Sequence, residues 1–295
     1  MKMIAPGLTV RFLLAAMTLA GSAIAAVSQS NEPFNQQFRL APADDAGAGA
    51  GTEDSQAELA KKLNNPVANL ISVPIQNNWD FGIGPADAMK YTANIQPVIP
   101  VSVSEHWNVI IRTILPVIYA ESPTPGGGST SGLGDTTQSF FVSPKAPTEH
   151  GWIWGAGPVF YWPTSTDDVL GPGKVGAGPT AVLLKQEHGW TYGILANHIW
   201  SFAGQGDTPD INATFLQPFL SFTTKTYTSF TLNTESTYNW DEHEWTVPLN
   251  LMVSQLLKIG KMPVQFQVGG RYYAERPAGG PDWGLRFTMT FLFPK

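Results

Sequence analysis

The sequence predicts an all-β chain: a closed antiparallel transmembrane β-barrel of about twelve strands, preceded by a flexible linker and a short N-terminal helix. Three observations predict it. Apolar and polar residues alternate with period two from Asn69 onward, which is the side-chain repeat of a strand. The alternating segments run mostly 11 to 14 residues, beyond the soluble strand of about 5 to 6 and near the roughly 9 to 11 that cross a bilayer. Their connections alternate between short and long, with an even number of strands.

Residues 1–26 read as a secretory signal. Lys2 and Arg11 supply a basic start, Phe12 to Leu19 an apolar stretch too short to span as a helix, and Ala23-Ile24-Ala25 a small-residue cleavage site. Its removal takes two basic and no acidic residues, leaving 15 against 23 and a net charge of −8. Residues 27–68 form a periplasmic linker and short helix. Ser28 to Ser55 is polar, and its Ala46-Gly47-Ala48-Gly49-Ala50-Gly51 run has no core-forming side chains, so it reads as flexible. No strand precedes that run, which rejects a dinucleotide fingerprint. Gln56 to Leu63 has the composition of a helix and stops at Asn64-Asn65-Pro66.

The barrel is assigned to residues 69–295, with strands near 69–79, 90–103, 107–119, 134–144, 151–162, 174–186, 190–202, 211–224, 227–238, 245–257, 263–274 and 282–293. The last is the clearest: Trp283, Leu285, Phe287, Met289, Phe291 and Phe293 alternate with Gly284, Arg286, Thr288 and Thr290. Short connections such as Ser104-Glu105-His106, Lys225-Thr226 and Lys258 to Met262 are expected on the periplasmic side. Long ones, including Asp80 to Met89, Tyr119 to Gly132 and Pro163 to Gly173, are expected outside the cell. Trp107, Trp152, Trp190 and Tyr227 each follow a short turn and are expected to form a periplasmic aromatic girdle. Three of those turns share a motif: Glu105-His106-Trp107, Glu149-His150-Gly151-Trp152 and Glu187-His188-Gly189-Trp190. Pro97, Pro100, Pro116, Pro158, Pro179, Pro218 and Pro248 fall inside strands, where each deletes a ladder hydrogen bond. Bulges, or carbonyls turned toward lumen water, are the least costly way to absorb them.

Composition excludes several functions. Charged residues are 14% of the chain, against about 25% in soluble domains. A net charge of −6 leaves no basic surface for nucleic acid. Zero cysteines excludes disulfides, thiolate metal sites and cysteine nucleophiles. A lipid-face hydrolase would need His and Ser on one outward face, but His198 and Ser201 have opposite parity. Asp241-Glu242-His243-Glu244 lacks organised metal-ligand spacing and reads as a solvated acidic loop. Gly171-Pro172-Gly173-Lys174-Val175 lacks the Ser or Thr of a phosphate loop. No catalytic residue, metal or cofactor is therefore expected.

Parity turns Arg112, Glu235, Arg271 and Arg286 inward, together with Asn94, Gln96, Asn233, Asn250, Gln265 and Gln267. A cation on the lipid midplane would cost about 2 to 4 kcal/mol, which favours the same assignment. These are the candidate lumen and selectivity residues. Structural filling and pore lining both stay open, because twelve strands lie between filled eight-stranded barrels and open porins. A symmetric loop between Glu275 and Asp282 would set Arg271 directly opposite Arg286, and Glu235 is the expected acidic partner between them.

The runs Leu59-Ala60-Lys61-Lys62-Leu63-Asn64-Asn65-Pro66, Ile75-Gln76-Asn77-Asn78-Trp79-Asp80, Asn94-Ile95-Gln96-Pro97-Val98, Arg112-Thr113-Ile114-Leu115-Pro116-Val117 and Asp282-Trp283-Gly284-Leu285-Arg286-Phe287 carry a resemblance. Over roughly residues 56–295 the chain resembles the bacterial outer-membrane transporter family of the meta-cleavage pathway of phenol degradation (the MetA-pathway type). The resemblance implies a barrel in the outer membrane of a Gram-negative bacterium, contact with outer-membrane lipid, insertion by the barrel assembly machinery, and passage of small aromatic or apolar solutes. One departure is the C-terminus, where Pro294-Lys295 follow the aromatic Phe293 that usually ends a barrel. The expected function is passive, non-enzymatic passage of a small solute. The alternative is a structural or surface-interaction barrel plugged by the segment before Asn69.

Overall fold

The computed structural model describes residues 50–204, 206, 208–260 and 262–294. The expected signal at 1–26 and the linker up to residue 49 lie outside the described residues. Among the described residues one helix, α1 (Ala50–Leu63), precedes twelve antiparallel strands. They are β1 (Ile71–Ile83), β2 in two parts (Ala88–Ile95 and Val98–Ser102), β3 (Trp107–Glu121), β4 in two parts (Ser129–Leu133 and Thr136–Pro144), β5 (Trp152–Trp162) and β6 (Lys174–Glu187). There follow β7 (Trp190–Gly204), β8 (Asn212–Thr223), β9 in two parts (Thr228–Thr234 and Ser236–Asn239), β10 (Glu244–Ile259), β11 (Met262–Glu275) and β12 (Trp283–Phe293). Each strand pairs with its chain neighbour, and β12 returns to β1, from Phe293 opposite Ile71 to Trp283 opposite Phe81. The sheet closes on itself, which is the only way a sheet satisfies its backbone polar groups in hydrocarbon. No helix among the described residues is long and apolar enough to cross a membrane.

The register confirms the parity reading. Outward positions carry Ile99, Leu183, Ile194, Leu251, Val268, Leu285 and other large apolar side chains that stay exposed. Two aromatic belts bound this face. At the short-turn end, Trp107 packs edge-on to Trp154, Trp152 to Tyr192, and Trp190 against Phe222. At the long-loop end, Phe81 stacks on Trp283, and Tyr238 contacts both Trp240 and Trp245. Tyr227 does not belong to the first belt. It sits in the turn before β9 with φ 61 and packs inward, against the cluster of Ala60, Ala68, Leu70, Leu256 and Leu292.

Several boundaries differ from the sequence reading, each for a local reason. The helix begins at Ala50 rather than Gln56, so the end of the Ala-Gly run is helical. Glu58 and Lys62 pair at i,i+4 with 2.7 Å, and Lys61 and Lys62 stand in the last turn where the dipole favours cations. The expected long loop from Asp80 to Met89 is mostly strand: β1 runs to Ile83 and a single 3-10 turn, Gly84–Ala86, leads to β2.

Apart from Pro100, which pairs with Ile110 in unbroken register, the in-strand prolines coincide with irregularities in the ladder. Pro97 separates the two parts of β2, where the Gln96 amide donates to the Pro74 carbonyl (2.9 Å) and the Thr113 amide to the Pro97 carbonyl (3.1 Å). Pro116 lies at the break in β4, accepting from the Gly134 amide at 2.9 Å, and the register there gains one residue. Pro248 marks a bulge between β10 and β11. With Pro218 on the other neighbour, it flanks the gap at Glu235 that divides β9. The breaks are where an N–H is missing, so the closed sheet loses little elsewhere.

Candidate functional site

The lumen has an apolar wall and a polar wall. Inward positions of β3 to β8 supply Ile110, Phe141, Ile153, Val182, Leu184, Leu195, Phe215 and Phe219 to the first, interspersed with Arg112, Thr137, Ser139, Asn197 and Gln217, while β1, β2 and β9 to β12 supply amides and charges. The apolar wall is occupied near the short-turn end by the segment that follows α1. Val67 is buried among Ile110, Phe141, Val182, Leu184 and Leu195. Ala60, Ala68 and Leu70 pack on Leu256 and Leu292. Polar contacts anchor the same segment: Asn64 Nδ2 donates to Thr223 Oγ1 (3.1 Å), Ser221 Oγ to Asn64 Oδ1 (3.3 Å), and Gln186 Nε2 to the Lys61 carbonyl (2.8 Å).

Beyond this insertion the polar wall carries an ionic cluster. Arg286 donates from Nη1 and Nη2 to the two oxygens of Glu235, at 2.9 and 2.7 Å, and from Nε to Asn78 Oδ1 at 2.7 Å. Arg271 lies 3.6 Å from Glu235 and 3.4 Å from Asp80, whose Oδ1 also accepts from the Tyr273 hydroxyl at 2.9 Å. Its guanidinium stacks over the Tyr273 ring, 5.4 Å from the centroid. Arg112 is a third cation and hydrogen-bonds the neutral Gln96 Oε1 at 3.0 Å. Asn250 and Asn233 pair at 2.8 Å.

The expected direct apposition of Arg271 and Arg286 is corrected by the register. Arg271 faces Gly284, and Arg286 faces Gly269. The hairpin is asymmetric: the Tyr273 amide closes on the Asp282 carbonyl, while β11 continues to Glu275 along β10. The two arginines are thus diagonal neighbours on one face, each opposite a glycine. A Cβ on Gly284 would come within 2.6 Å of Asp80 Oδ1 and of the Trp79 carbonyl, and one on Gly269 within 2.5 Å of Met252 Cγ. These glycines leave room for the cluster.

Asn94, Gln96, Gln265 and Gln267 line a cavity of about 550 Å³ with Arg112, Glu235 and Arg286. Ile114 lies beside Arg112 on β3, and Leu195, Ile199, Ile211 and Phe215 line the same cavity together with Asn197 and Gln217. Asp80, Asn78 and the apolar wall were outside the sequence-derived site. Asp80 had been placed in a loop, although the alternation Gln76, Asn78, Asp80 continues the inward parity of β1. Among the described residues no group of three or more metal-ligating side chains occurs. His198 faces outward with Thr214, Nδ1 to Oγ1 2.7 Å, while Ser201 bonds Asp210 at 3.2 Å.

Fold and lumen together define a closed twelve-stranded antiparallel β-barrel with an apolar outer face and a partly filled interior. No family model matches the chain, and no curated protein matches it. An outer-membrane channel from Pseudomonas putida F1 is similar over 76% of this chain and 96% of its own, with a TM-score of 0.60 and 15% identity. The β domain of the Bordetella autotransporter BrkA aligns over 76% and 100%, with a TM-score of 0.43 and 11% identity. The outer membrane phospholipase A from Escherichia coli aligns over 82% and 98%, with a TM-score of 0.42 and 11% identity.

Proposed function

We propose that this protein is a passive, non-enzymatic outer-membrane channel for a small solute with an apolar or aromatic body. The observation that carries the reading is the lumen cavity of about 550 Å³, within the roughly 300 to 1,000 Å³ of small-molecule sites. Its lining combines amides and guanidinium groups with the aliphatic and aromatic side chains of Ile114, Leu195, Ile199 and Phe215. The similar channel from Pseudomonas putida F1 supports a pore on this architecture. In this reading the chain is exported by its signal, inserted by the barrel assembly machinery and held in outer-membrane lipid. The Val67 segment reduces the opening at the periplasmic end.

A second reading has one observation in its favour: the same segment is packed and hydrogen-bonded inside the lumen, as a permanent plug would be. Planar-bilayer recording on the purified barrel separates the two. Discrete conductance steps support the channel, and silent bilayers containing heat-modifiable, folded protein support the plug.

A further inference from the structure

We propose that Arg112 and the apolar side chains sharing its cavity form a binding site for a small carboxylate with an apolar body. The proposal rests on the channel reading and names the class of its solute. Three arginines face the lumen, but their situations differ. Arg286 is held by both oxygens of Glu235, and Arg271 lies between Glu235 and Asp80. Two carboxylates thus neutralise two guanidinium groups. Arg112 takes part in no ion pair among the described residues, and its hydrogen bond goes to the neutral amide of Gln96. Glu235 is already chelated, so it adds only a more distant attraction.

A guanidinium in a lumen with low-dielectric walls and no anion of its own is an anion site by charge and by geometry. Its planar fork fits a carboxylate through two parallel N–H bonds. Position adds the second half of the ligand. Arg112 lies two residues along β3 from Ile110, which packs on Val67, so the cation stands directly beyond the plugging segment. Arg112 also lines the adjoining cavity of about 230 Å³ beside Leu63 and Asn64. In the larger cavity it shares the space with Ile114, Leu195 and Phe215. A solute with its carboxylate on Arg112 would lay an apolar ring against these side chains, and a simple anion would leave them wet.

The test is isothermal titration of the full chain in a neutral detergent with benzoate, benzamide and acetate. Benzoate should bind at least about tenfold tighter than benzamide, which lacks the charge, and than acetate, which lacks the ring. Arg112→Gln should weaken benzoate by about tenfold to a hundredfold, with Arg112→Lys between. Gln96→Glu keeps the side-chain size but gives Arg112 an internal carboxylate, and should cause the same loss; it carries the test if Arg112→Gln does not fold. No benzoate binding by the native chain, unchanged binding in Arg112→Gln or Gln96→Glu, or acetate equal to benzoate would each overturn the proposal. Bilayer conductance on the same samples keeps the two ideas apart. Benzoate binding without conductance upholds the site and removes the channel, whereas conductance without benzoate binding removes the site.

Discussion

Arg286 chelates Glu235 through both terminal guanidinium nitrogens, from β12 to β9, with two strands lying between them in the wall. The pair is desolvated: the Arg286 side chain is 2% exposed and that of Glu235 19%. Removing one partner of such a pair strands the other charge, at a cost of about 3 to 5 kcal/mol. Glu235→Gln should therefore lower the unfolding free energy of the barrel by about that much, since it strands Arg286 and weakens the hold on Arg271. Urea unfolding in lipid vesicles measures it. A loss below about 1 kcal/mol would show that the cluster does not brace the wall. The double change Arg271→Gln with Arg286→Gln should likewise destabilise the barrel while leaving the Arg112 site charged.

The lipid face gives a second prediction. Phe266 and Phe287 point outward and their rings lie 6.4 Å apart, while Gln267 faces the lumen opposite Thr288. Phe266→Arg and Phe287→Arg should each lose about 2 to 4 kcal/mol, and Gln267→Arg much less. Folded yield and heat-modifiability report the difference. Equal behaviour of all three would overturn the assignment of lipid and lumen faces.

The fold was legible because lipid imposes one simple code, apolar outward with period two, and β11 and β12 follow it almost without exception. Inward parity for Arg112, Glu235, Arg271 and Arg286 followed from the same code. What the code does not contain is register. The offset of Arg271 from Arg286 depends on a hairpin whose two strands end at different partners. Gly82 and Gly84 suggest a loop that would take in Asp80, whereas Gly82 (φ 78) sits at an irregularity within β1 and Gly84 (φ 63) opens the short turn after it. Tyr227 was misplaced because a residue after a turn was read as outward, yet odd positions of β9 face the lumen.

Orientation in the membrane supplies the third prediction. The connection at 122–128 lies at the long-loop end, and the turn between Ile259 and Met262 at the short-turn end beside the entry of β1. An epitope in 122–128 should be reached by antibody on intact cells, and one after Ile259 only after the outer membrane is opened. Labelling of the Ile259 site on intact cells would invert the barrel.

A fourth prediction concerns acid. Lys174 lies 3.1 Å from Asp210, just before β8, and the Ser201 hydroxyl donates to the same carboxylate. The Lys174 hydrogen bond and charge, with help from Ser201, hold the Asp210 carboxyl below the ordinary carboxylate range. A depressed pKa means the tether is present above the unfolded value of about 4 and is lost as pH falls through the lower folded one. Hydrogen exchange at the Ile211 amide, which donates to Ser201 Oγ at 2.9 Å, should accelerate below about pH 4 beyond the intrinsic rate. Asp210→Asn should show the faster exchange already at neutral pH. Protection of Ile211 that is identical at pH 3 and pH 7 would show that the ion pair does not hold this connection.

The last prediction tests whether the inserted segment governs passage. Val67 sits beside the wall of β5, where a Cβ built on Gly155 would lie 3.2 Å from Val67 Cγ1. Cγ1 stands where a cysteine sulfur would, and in a disulfide each sulfur lies about 3 Å from the partner's Cβ, so the spacing suits a bridge. The chain has no cysteine, so in a Val67→Cys, Gly155→Cys variant each new thiol has only the other to bridge within its molecule, and non-reducing gels separate that monomer from cross-linked copies. The contacts that hold the segment are two small apolar clusters and three neutral hydrogen bonds, with no ion pair to the wall among the described residues. Such a set can open locally without unfolding the sheet, because closure of β12 on β1 does not depend on it. The oxidised double variant should therefore conduct at a low, steady level, and reduction in the same bilayer should restore larger steps of fluctuating size. Conductance that is the same before and after reduction, with bridge formation verified by mass, would show that the segment stays in place while solute passes beside it.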